Sequence, residues 1–363
     1  MNIVLAGGGT AGHTSPLIAT AQQLARLAPE SRLLCVGTPR GLENQVIPAA
    51  GLELALIPPV PLPRRLTVEL LKVPGRLRDA VRQARALLVS HQADVVVGFG
   101  GYVSLPVYLA ARKAKLPILI HEQNAVPGLA NRVAARFADH VAVSFPDTAL
   151  PGAQYLGLPV REAIAGLDRA AASPSARAGF GLPQGAPVLL VSGGSQGARS
   201  INTALAGALD DLLAAGVSVL HVLGQANFTD QHVARDHASG AVYRPLAYVD
   251  AMEQAYAAAD LMVGRSGAGT VMETAMVGLP TVFVPLPHGN GEQARNAGFL
   301  VEADAAVLIA DAELNPRALT GTVLDLVQDP VRLAAMSDRC RELVPAGAAE
   351  ALAQLVLNAG ERG

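Results

Sequence analysis

At 363 residues the chain is too long for one ordinary core and suits two domains of common size. A hydrophobic share of 51% against 16% charged residues excludes a disordered chain, and a net charge of −2 gives no global basic field for a nucleic-acid partner. The two cysteines, Cys35 and Cys340, are too few and too scattered for a disulfide scaffold or a metal knuckle, which points to a reducing compartment.

Met1-Asn2 leads straight into an apolar strand at 3–6, leaving no room for a signal peptide. No apolar run approaches the ~20 residues of a membrane span. A cytosolic protein, or one held at a membrane from its cytosolic side, is expected. Gly7-Gly8-Gly9-Thr10-Ala11-Gly12-His13 follows the strand. A helix is predicted from about Ser15-Pro16 to residue 27, with Ser15 as cap and Pro16 at a tolerated first position. Gly7, Gly9 and Gly12 literally satisfy the dinucleotide fingerprint G-x-G-x-x-G, a weak signal alone. That fingerprint also wants an acid at the end of the second strand. Here the strand at 33–36 ends in Gly37-Thr38-Pro39, and Glu30 comes before it. Binding of NAD or FAD therefore stands against a plain tight turn and against a substrate-facing loop that points Thr10 and His13 into a cleft. The last reading is preferred.

Further apolar runs at 54–57, 95–97, 118–120 and 141–143 are mostly separated by helical stretches, the pattern of a parallel sheet covered on both faces. Ligands then lie at the carboxyl ends of the strands. The helical stretch 64–88 carries Arg64, Arg65, Lys72, Arg76, Arg78, Arg82 and Arg85 against Glu69 and Asp79, with Leu66, Val68, Leu70, Leu71 and Val73 as apolar surface. It reads as a solvated face or as a monotopic patch on anionic lipid, where each basic residue adds about 1 kcal/mol. Gly98-Phe99-Gly100-Gly101-Tyr102-Val103-Ser104 and then His121-Glu122-Gln123-Asn124 follow the next two strands. Four polar residues directly after a buried strand are costly unless they meet a ligand or each other. His121 and Glu122 can pair as structure. Asn124 is the better ligand contact, because its amide both donates and accepts.

Gly157-Leu158-Pro159-Val160-Arg161 looks like a hinge, and 165–187 is Ala/Gly/Pro/Ser-rich, as at a domain boundary. The pattern then restarts at 188–191, 217–222, 241–243, 261–263, 281–284 and 307–309. The expected domains are 1–160 and 161–344, with a helix over about 345–363 returning to the first. The second half opens on Ser192-Gly193-Gly194-Ser195-Gln196-Gly197-Ala198-Arg199. This is a tight turn or a phosphate loop in which Ser195 stands beside free helix N–H groups. At 263–296 a strand leads into Gly264-Arg265-Ser266-Gly267-Ala268-Gly269-Thr270 and a helix with Glu273 in its first turn. A bare phosphate would be repelled by Glu273. A sugar hydroxyl beside a phosphate would not, so this stretch is read as holding a nucleotide joined to a sugar.

The ordered set Gly-Gly-Thr-x-Gly-His, Gly-Gly-Tyr-Val-Ser, His-Glu-Gln-Asn, Gly-Gly-Ser-Gln-Gly-Ala-Arg and Arg-Ser-Gly-Ala-x-Thr with a downstream Glu resembles the MurG family within glycosyltransferase family 28. These enzymes use UDP-N-acetylglucosamine to convert lipid I to lipid II. The match runs from about residue 3 to 300. The resemblance implies a GT-B fold, two Rossmann-like doubly wound parallel-sheet domains facing a cleft, and inverting chemistry with neither metal nor cofactor. The chain has no Asp-x-Asp, and His232 and His237 read as surface. Carried over by position, Ser195 and Thr270 would lie at the diphosphate and Glu273 at the ribose. Arg161 and the backbone near Val249 would lie at the uracil. Ala268, Gln293, Asn124 and Thr10 would face the N-acetylglucosamine, with the Gly269 backbone contributing. His13 would be the general base on the acceptor hydroxyl, with Glu122 the alternative. The first glycine loop, including Ala11 and Gly12, would meet the acceptor's lipid-linked pyrophosphate. The implied partners are UDP-N-acetylglucosamine, lipid I and an anionic membrane surface, and no nucleic acid. Three departures stand out: Leu158 replaces a usual Asn, Glu292 a common Gln, and Gly269 a larger apolar residue. Other readings are a UDP-sugar transferase acting on a diacylglycerol-type lipid, a UDP-N-acetylglucosamine epimerase and a non-catalytic nucleotide-sugar binder.

Overall fold

Every apolar run noted in the sequence becomes a strand, and the strands assemble into two separate seven-stranded sheets. The computed structural model describes residues 1–60, 69–288 and 291–362. Arg64, Arg65, Leu66 and Val68 of the expected basic helix lie outside the described residues. Unit 1 comprises Met1–Arg161 and Gly347–Gly363, and unit 2 comprises Glu162–Ala346.

Unit 1 begins with β1 (Asn2–Ala6), α1 (Ala11–Leu27), β2 (Arg32–Gly37), α2 (Glu43–Ala49) and β3 (Glu53–Leu56). It continues with α3 (Glu69–Ser90), β4 (Val95–Gly98), α4 (Ser104–Ala114), β5 (Ile118–Glu122), α5 (Leu129–Ala134), β6 (His140–Val143) and β7 (Ala153–Tyr155). The strand order is β3-β2-β1-β4-β5-β6-β7, parallel throughout. Side chains alternate across a strand, so a sheet covered on both faces needs apolar residues at every position. In β1, Val4 and Ala6 join the core under α3 and α4, while Ile3 and Leu5 join the one under α1.

The structure departs from the sequence reading in three places here. Helix α1 starts at Ala11 with Thr10 as N-cap, not at Ser15, so Gly12 and His13 belong to its first turn. Pro16 is tolerated inside it because the bond it removes is to the carbonyl of Gly12, which is exposed. Val73 is not surface: it is buried against Val60 and Ala80, and the described apolar side chains of α3 from Val73 to Leu88 mostly turn inward. Strand β7 carries no apolar run, because it is a short, mostly exposed edge strand.

Unit 2 opens with α6 (Glu162–Ala165), α7 (Arg169–Gly179), β8 (Val188–Ser192), α8 (Arg199–Ala214), β9 (Ser218–Val222), β10 (Arg235–Asp236) and β11 (Val242–Leu246). It continues through α9 (Met252–Ala258), β12 (Leu261–Gly264), α10 (Ala268–Met276), β13 (Thr281–Phe283), α11 (Glu292–Glu302), β14 (Ala306–Leu308), α12 (Pro316–Val327) and α13 (Pro330–Leu343). The order is β10-β11-β9-β8-β12-β13-β14, parallel except for the exposed two-residue β10. The boundary-like stretch 165–187 is a docked element. Asp168 caps α7 by accepting from the Ala171 N–H at 3.1 Å. Arg169 donates to the carbonyls of Tyr256, Ala259 and Gly278, while Arg177 donates to that of Ala258 and pairs with Asp260 at 2.7 Å. Composition shows small residues there, but not the two arginines that pin them.

The last helix, α14 (Ala348–Gly360), belongs to unit 1. Its Leu352, Ala353, Val356 and Ala359 enter the core of Ile3, Leu5, Val95 and Val97, beside α1.

Candidate active site

Each sheet has one place where neighbouring strands send their following helices to opposite sides. In unit 1 it lies between β1 and β4, in unit 2 between β8 and β12. Loops leaving the carboxyl ends of such a pair diverge and leave a crevice, the usual ligand position in open α/β sheets. The glycine-rich motifs of the sequence are the loops at these two points.

In unit 1 the loops after β1 and β4 meet closely. Gly100 and Gly101 have φ of +86° and +85°, and a Cβ on Gly101 would stand 2.6 Å from the Gly8 carbonyl oxygen. Only glycine allows both the backbone conformation and the approach. Ser104 anchors the second loop, donating to the carbonyls of Ala6 and Gly100 at 3.0 and 2.6 Å. Thr10 is exposed, and its Oγ1 lies 3.2 Å from Nδ1 of the half-buried His13. Ala11 and Gly12 are exposed on the same turn. Burial lowers the pKa of His13 below the ordinary 6.5, against the opposing pull of the Gly8 carbonyl and the Glu43 charge. The imidazole is therefore neutral at physiological pH and able to accept a proton.

His121 and Glu122 end β5, and they do not pair with each other. His121 Nε2 bonds the Gly157 carbonyl at 3.0 Å and its Nδ1 meets the Gln123 amide at 3.1 Å; burial pushes its pKa down to about 4. Glu122 accepts from the N–H groups of Asn124 and Gly128, each at 3.0 Å, and from Asn131 Nδ2 at 2.9 Å. Burial raises its pKa, with these donors opposing the shift. A raised pKa suits a base, yet both its oxygens are engaged in shaping the loop that carries half-buried Asn124. Asn131, absent from the sequence reading, is the buried hub: it also accepts from the Tyr108 hydroxyl at 2.8 Å. A Cβ at Gly100 would stand 3.4 Å from both Asn131 Nδ2 and His13 Nε2, so the two polar groups flank one glycine.

In unit 2 the N-termini of two helices open beside each other, because β8 and β12 are neighbours. Helix α10 begins at Ala268 after Gly267, with no side-chain cap, and its first internal bond runs from the Val271 N–H. The N–H groups of Ala268, Gly269 and Thr270 therefore lack helical partners. Helix α8 likewise has no side-chain cap, and Ser195 is exposed in the loop before it. That loop is tight: a Cβ on Gly193 or Gly197 would overlap the backbone of Ala198 or Leu223. Arg265 fixes the turn after β12 by donating to the carbonyls of Val284 and Pro285 at 3.0 and 3.1 Å, to Asp311 and to Ser200. Half-buried Glu273 sits one turn into α10 and accepts from the Tyr256 hydroxyl of α9 at 2.8 Å. Gln293, on α11, accepts the Leu286 N–H through Oε1 at 2.9 Å, which leaves its amide N–H groups for other partners. Val249 is buried in the loop between β11 and α9, whereas Arg161 is exposed at the end of unit 1.

Two family models match the chain. The glycosyltransferase family 28 N-terminal domain covers residues 3–143 and the C-terminal domain of the same family covers 188–354. The chain belongs to glycosyltransferase family 28. The family's enzymes from Nocardioides sp. and Cutibacterium acnes are 56% and 57% identical over 99% of this chain and 98% and 97% of theirs. Both are named UDP-N-acetylglucosamine--N-acetylmuramyl-(pentapeptide) pyrophosphoryl-undecaprenol N-acetylglucosamine transferase. Among solved structures, Acinetobacter baumannii MurG aligns over 98% of this chain and 99% of its own, with a TM-score of 0.78 and 28% identity. A Listeria monocytogenes UDP-N-acetylglucosamine 2-epimerase aligns at a TM-score of 0.63 and 12% identity, a likeness of fold alone. The two Rossmann-like units are those of a GT-B glycosyltransferase.

Two of this family 28 chain's polar supports, Asn131 and Tyr256, lack a sequence signal of their own. Each lies on a helix away from the carboxylate it holds, 9 residues from Glu122 and 17 from Glu273. Removing the Glu122 carboxylate takes an acceptor from three donors, at about 1–3 kcal/mol for each one left buried and unpaired. Glu122→Ala is therefore expected to lower the chemical-denaturation midpoint of unit 1 clearly; an unchanged midpoint would show that these bonds do not hold the loop.

Proposed function

We propose that the chain transfers N-acetylglucosamine from UDP-N-acetylglucosamine to the 4-hydroxyl of the N-acetylmuramyl sugar in lipid I, the undecaprenyl-pyrophosphoryl pentapeptide acceptor, giving lipid II for peptidoglycan. The observation that carries this reading is 56% identity, across 99% of the chain, to a transferase named for this donor and acceptor. Peptidoglycan synthesis underlies cell shape and division, so the enzyme would act there.

Unit 2 holds the donor. The free N–H groups at the start of α10, with Thr270 and Ser195, take the diphosphate, where helix dipoles and hydrogen-bond donors favour negative charge. Glu273, steadied by Tyr256, accepts from the ribose hydroxyls. The Val249 backbone serves the uracil, a role the resemblance also gives Arg161, the last residue of the first stretch of unit 1, and Ala268, Gly269 and the Gln293 amide serve the sugar. Unit 1 holds the acceptor: the first turn of α1 at Ala11 and Gly12 takes its pyrophosphate, while Thr10 and Asn124 keep the role the resemblance gives them, facing the N-acetylglucosamine.

The acceptor 4-oxygen attacks the anomeric carbon opposite the departing UDP, so one displacement inverts that centre. The bond from carbon to the β-phosphate oxygen breaks, and its electron pair leaves with UDP. His13 takes the hydroxyl proton as a neutral imidazole. Glu122 is the weaker choice because its oxygens already accept three N–H groups. The charge on the departing UDP is met by fixed N–H donors, so no metal ion is required. The deciding assay is UDP release with a soluble lipid I analogue, with and without EDTA. Release unaffected by EDTA is expected; no release with that acceptor would sink the function, and loss with EDTA would sink the metal-free step.

His13→Ala is expected to lower kcat by about 10²–10⁴-fold. The acid limb of the parent's pH–rate profile should fall below the 6.5 of an ordinary imidazole, because the base works unprotonated and its pKa is lowered. A near-normal kcat in the variant would remove His13 from the role. Tyr256→Phe removes the hydroxyl that donates to the Glu273 carboxylate, and the donor KM should rise severalfold, on the order of 1 kcal/mol, with little change in kcat. Steady-state kinetics in UDP-N-acetylglucosamine check this, and an unchanged KM would count against the ribose assignment.

Among the described residues no helix is long and apolar enough to cross a membrane. A peripheral contact on the cytoplasmic side suits a lipid-linked acceptor, through the exposed arginines Arg76, Arg78 and Arg82 of α3. Val73 is buried, so among the described residues the charge of these arginines is the feature offered to anionic lipid. Binding to anionic liposomes should weaken with salt and on neutralising the three arginines, and salt-independent binding would refute the electrostatic contact.

A further inference from the structure

Glu43, the first residue of α2, is fully buried. A carboxylate out of water is costly unless its lone pairs are matched. Here Oε2 accepts from the Gly9 N–H at 2.7 Å, and Oε1 from the Thr38 N–H and hydroxyl, both at 2.8 Å. Burial opposes ionisation, and these donors outweigh it, holding the carboxyl below its usual range. Three segments make room for the side chain: a Cβ on Gly8, Gly37 or Gly41 would overlap it. The acid that a dinucleotide site would turn outward after β2 is here turned inward, onto the glycine loop.

The consequence lies in one peptide group. Gly8 C=O and Gly9 N–H belong to the same planar trans unit, so they point in opposite directions. The N–H is held by Glu43, and the C=O faces the His13 imidazole and the Gly101 turn. Gly9, at φ +93°, has no side chain to stop this peptide from rotating. We propose that Glu43 is a positioning residue for the transfer: through the Gly8–Gly9 peptide it fixes the carbonyl that orients His13. The arrangement leaves the N–H groups of Ala11 and Gly12, not that of Gly9, for an anion at the start of α1. Of the elements packed on the imidazole, the loop after β4 presents Gly100 and the start of α1 presents Thr10, neither ionisable; Glu43 of α2 is the charge that acts on it.

This role rests on the reading of His13 as the base, and the test separates the two. In the full-length protein labelled with ¹⁵N, the imidazole of His13 and the amide of Gly9 are followed by NMR as pH is varied. In the parent protein the Gly9 amide should shift in step with His13 protonation. In Glu43→Gln the His13 titration should move to lower pH, because a nearby negative charge is lost. The same variant should lose kcat by on the order of 10–100-fold with the donor KM kept, since a misplaced group costs rate and not donor binding. A Gly9 amide indifferent to His13 titration in the parent overturns the relay, and that arm needs no variant to fold. A Glu43→Gln protein with parental kcat and His13 titration overturns it as well. If His13→Ala kept its kcat while Gly9 in the parent protein tracked His13, the base reading would fall and the structural relay would stand.

Discussion

A parallel strand cannot return through a two-residue hairpin, so each connection crosses over the sheet, mostly through a helix. That constraint governs this molecule twice. It buries both faces of each sheet, which is why Val4 and Ala6 serve one core and Ile3 and Leu5 the other. It also sends successive loops to one edge and forces a divergence where the strand order turns back, beside β1 in unit 1 and β8 in unit 2. The chemistry then depends on what those few loops can hold. In unit 2 they present helix N-termini without side-chain caps. In unit 1 they present a histidine on the first turn of α1.

In two of the unit 1 loops, buried carboxylates are aimed at backbone N–H groups. Glu122 shapes the turn after β5, and Glu43 shapes the turn after β1. Neither depends on a cationic partner for the bonds described. A carboxylate accepting neutral N–H bonds gives a fixed geometry and a local negative charge together. Beside His13, that charge moderates the fall in pKa that burial imposes. In unit 2 the corresponding anchor has the opposite sign: Arg265 gathers two carbonyls, Asp311 and Ser200 around the turn after β12.

Much of the candidate site was legible because glycine and polar residues placed directly after apolar runs have few uses. Gly100 and Gly101 follow β4 because the backbone takes positive φ there and the Gly8 carbonyl comes close. His121-Glu122-Gln123-Asn124 stands out by being polar at a buried strand end, although the pairing open to His121 and Glu122 does not form. Both found backbone partners instead, the Gly157 carbonyl and the Asn124 and Gly128 N–H groups. The start of α1 was misplaced because Pro16 resembles a first-position proline, and only the exposed Gly12 carbonyl lets it sit deeper. Similarly, 165–187 looked like a linker because docking by Arg169 and Arg177 runs to carbonyls about 80 to 110 residues away in the chain.

By itself the sequence determined the two α/β units, the strands with apolar runs and the glycine-rich loops that follow them, because period, burial and glycine conformation are local properties of the chain. The tertiary structure decided which partner each polar group meets. Glu43 has no motif and lies 34 residues from Gly9, yet parallel pairing of β1 with β2 brings its carboxylate onto that amide. Tyr256 likewise reaches Glu273 only because α9 and α10 flank the same strand. A hydrogen bond between distant segments is set by the closure of the sheet, and no local pattern of residues encodes it.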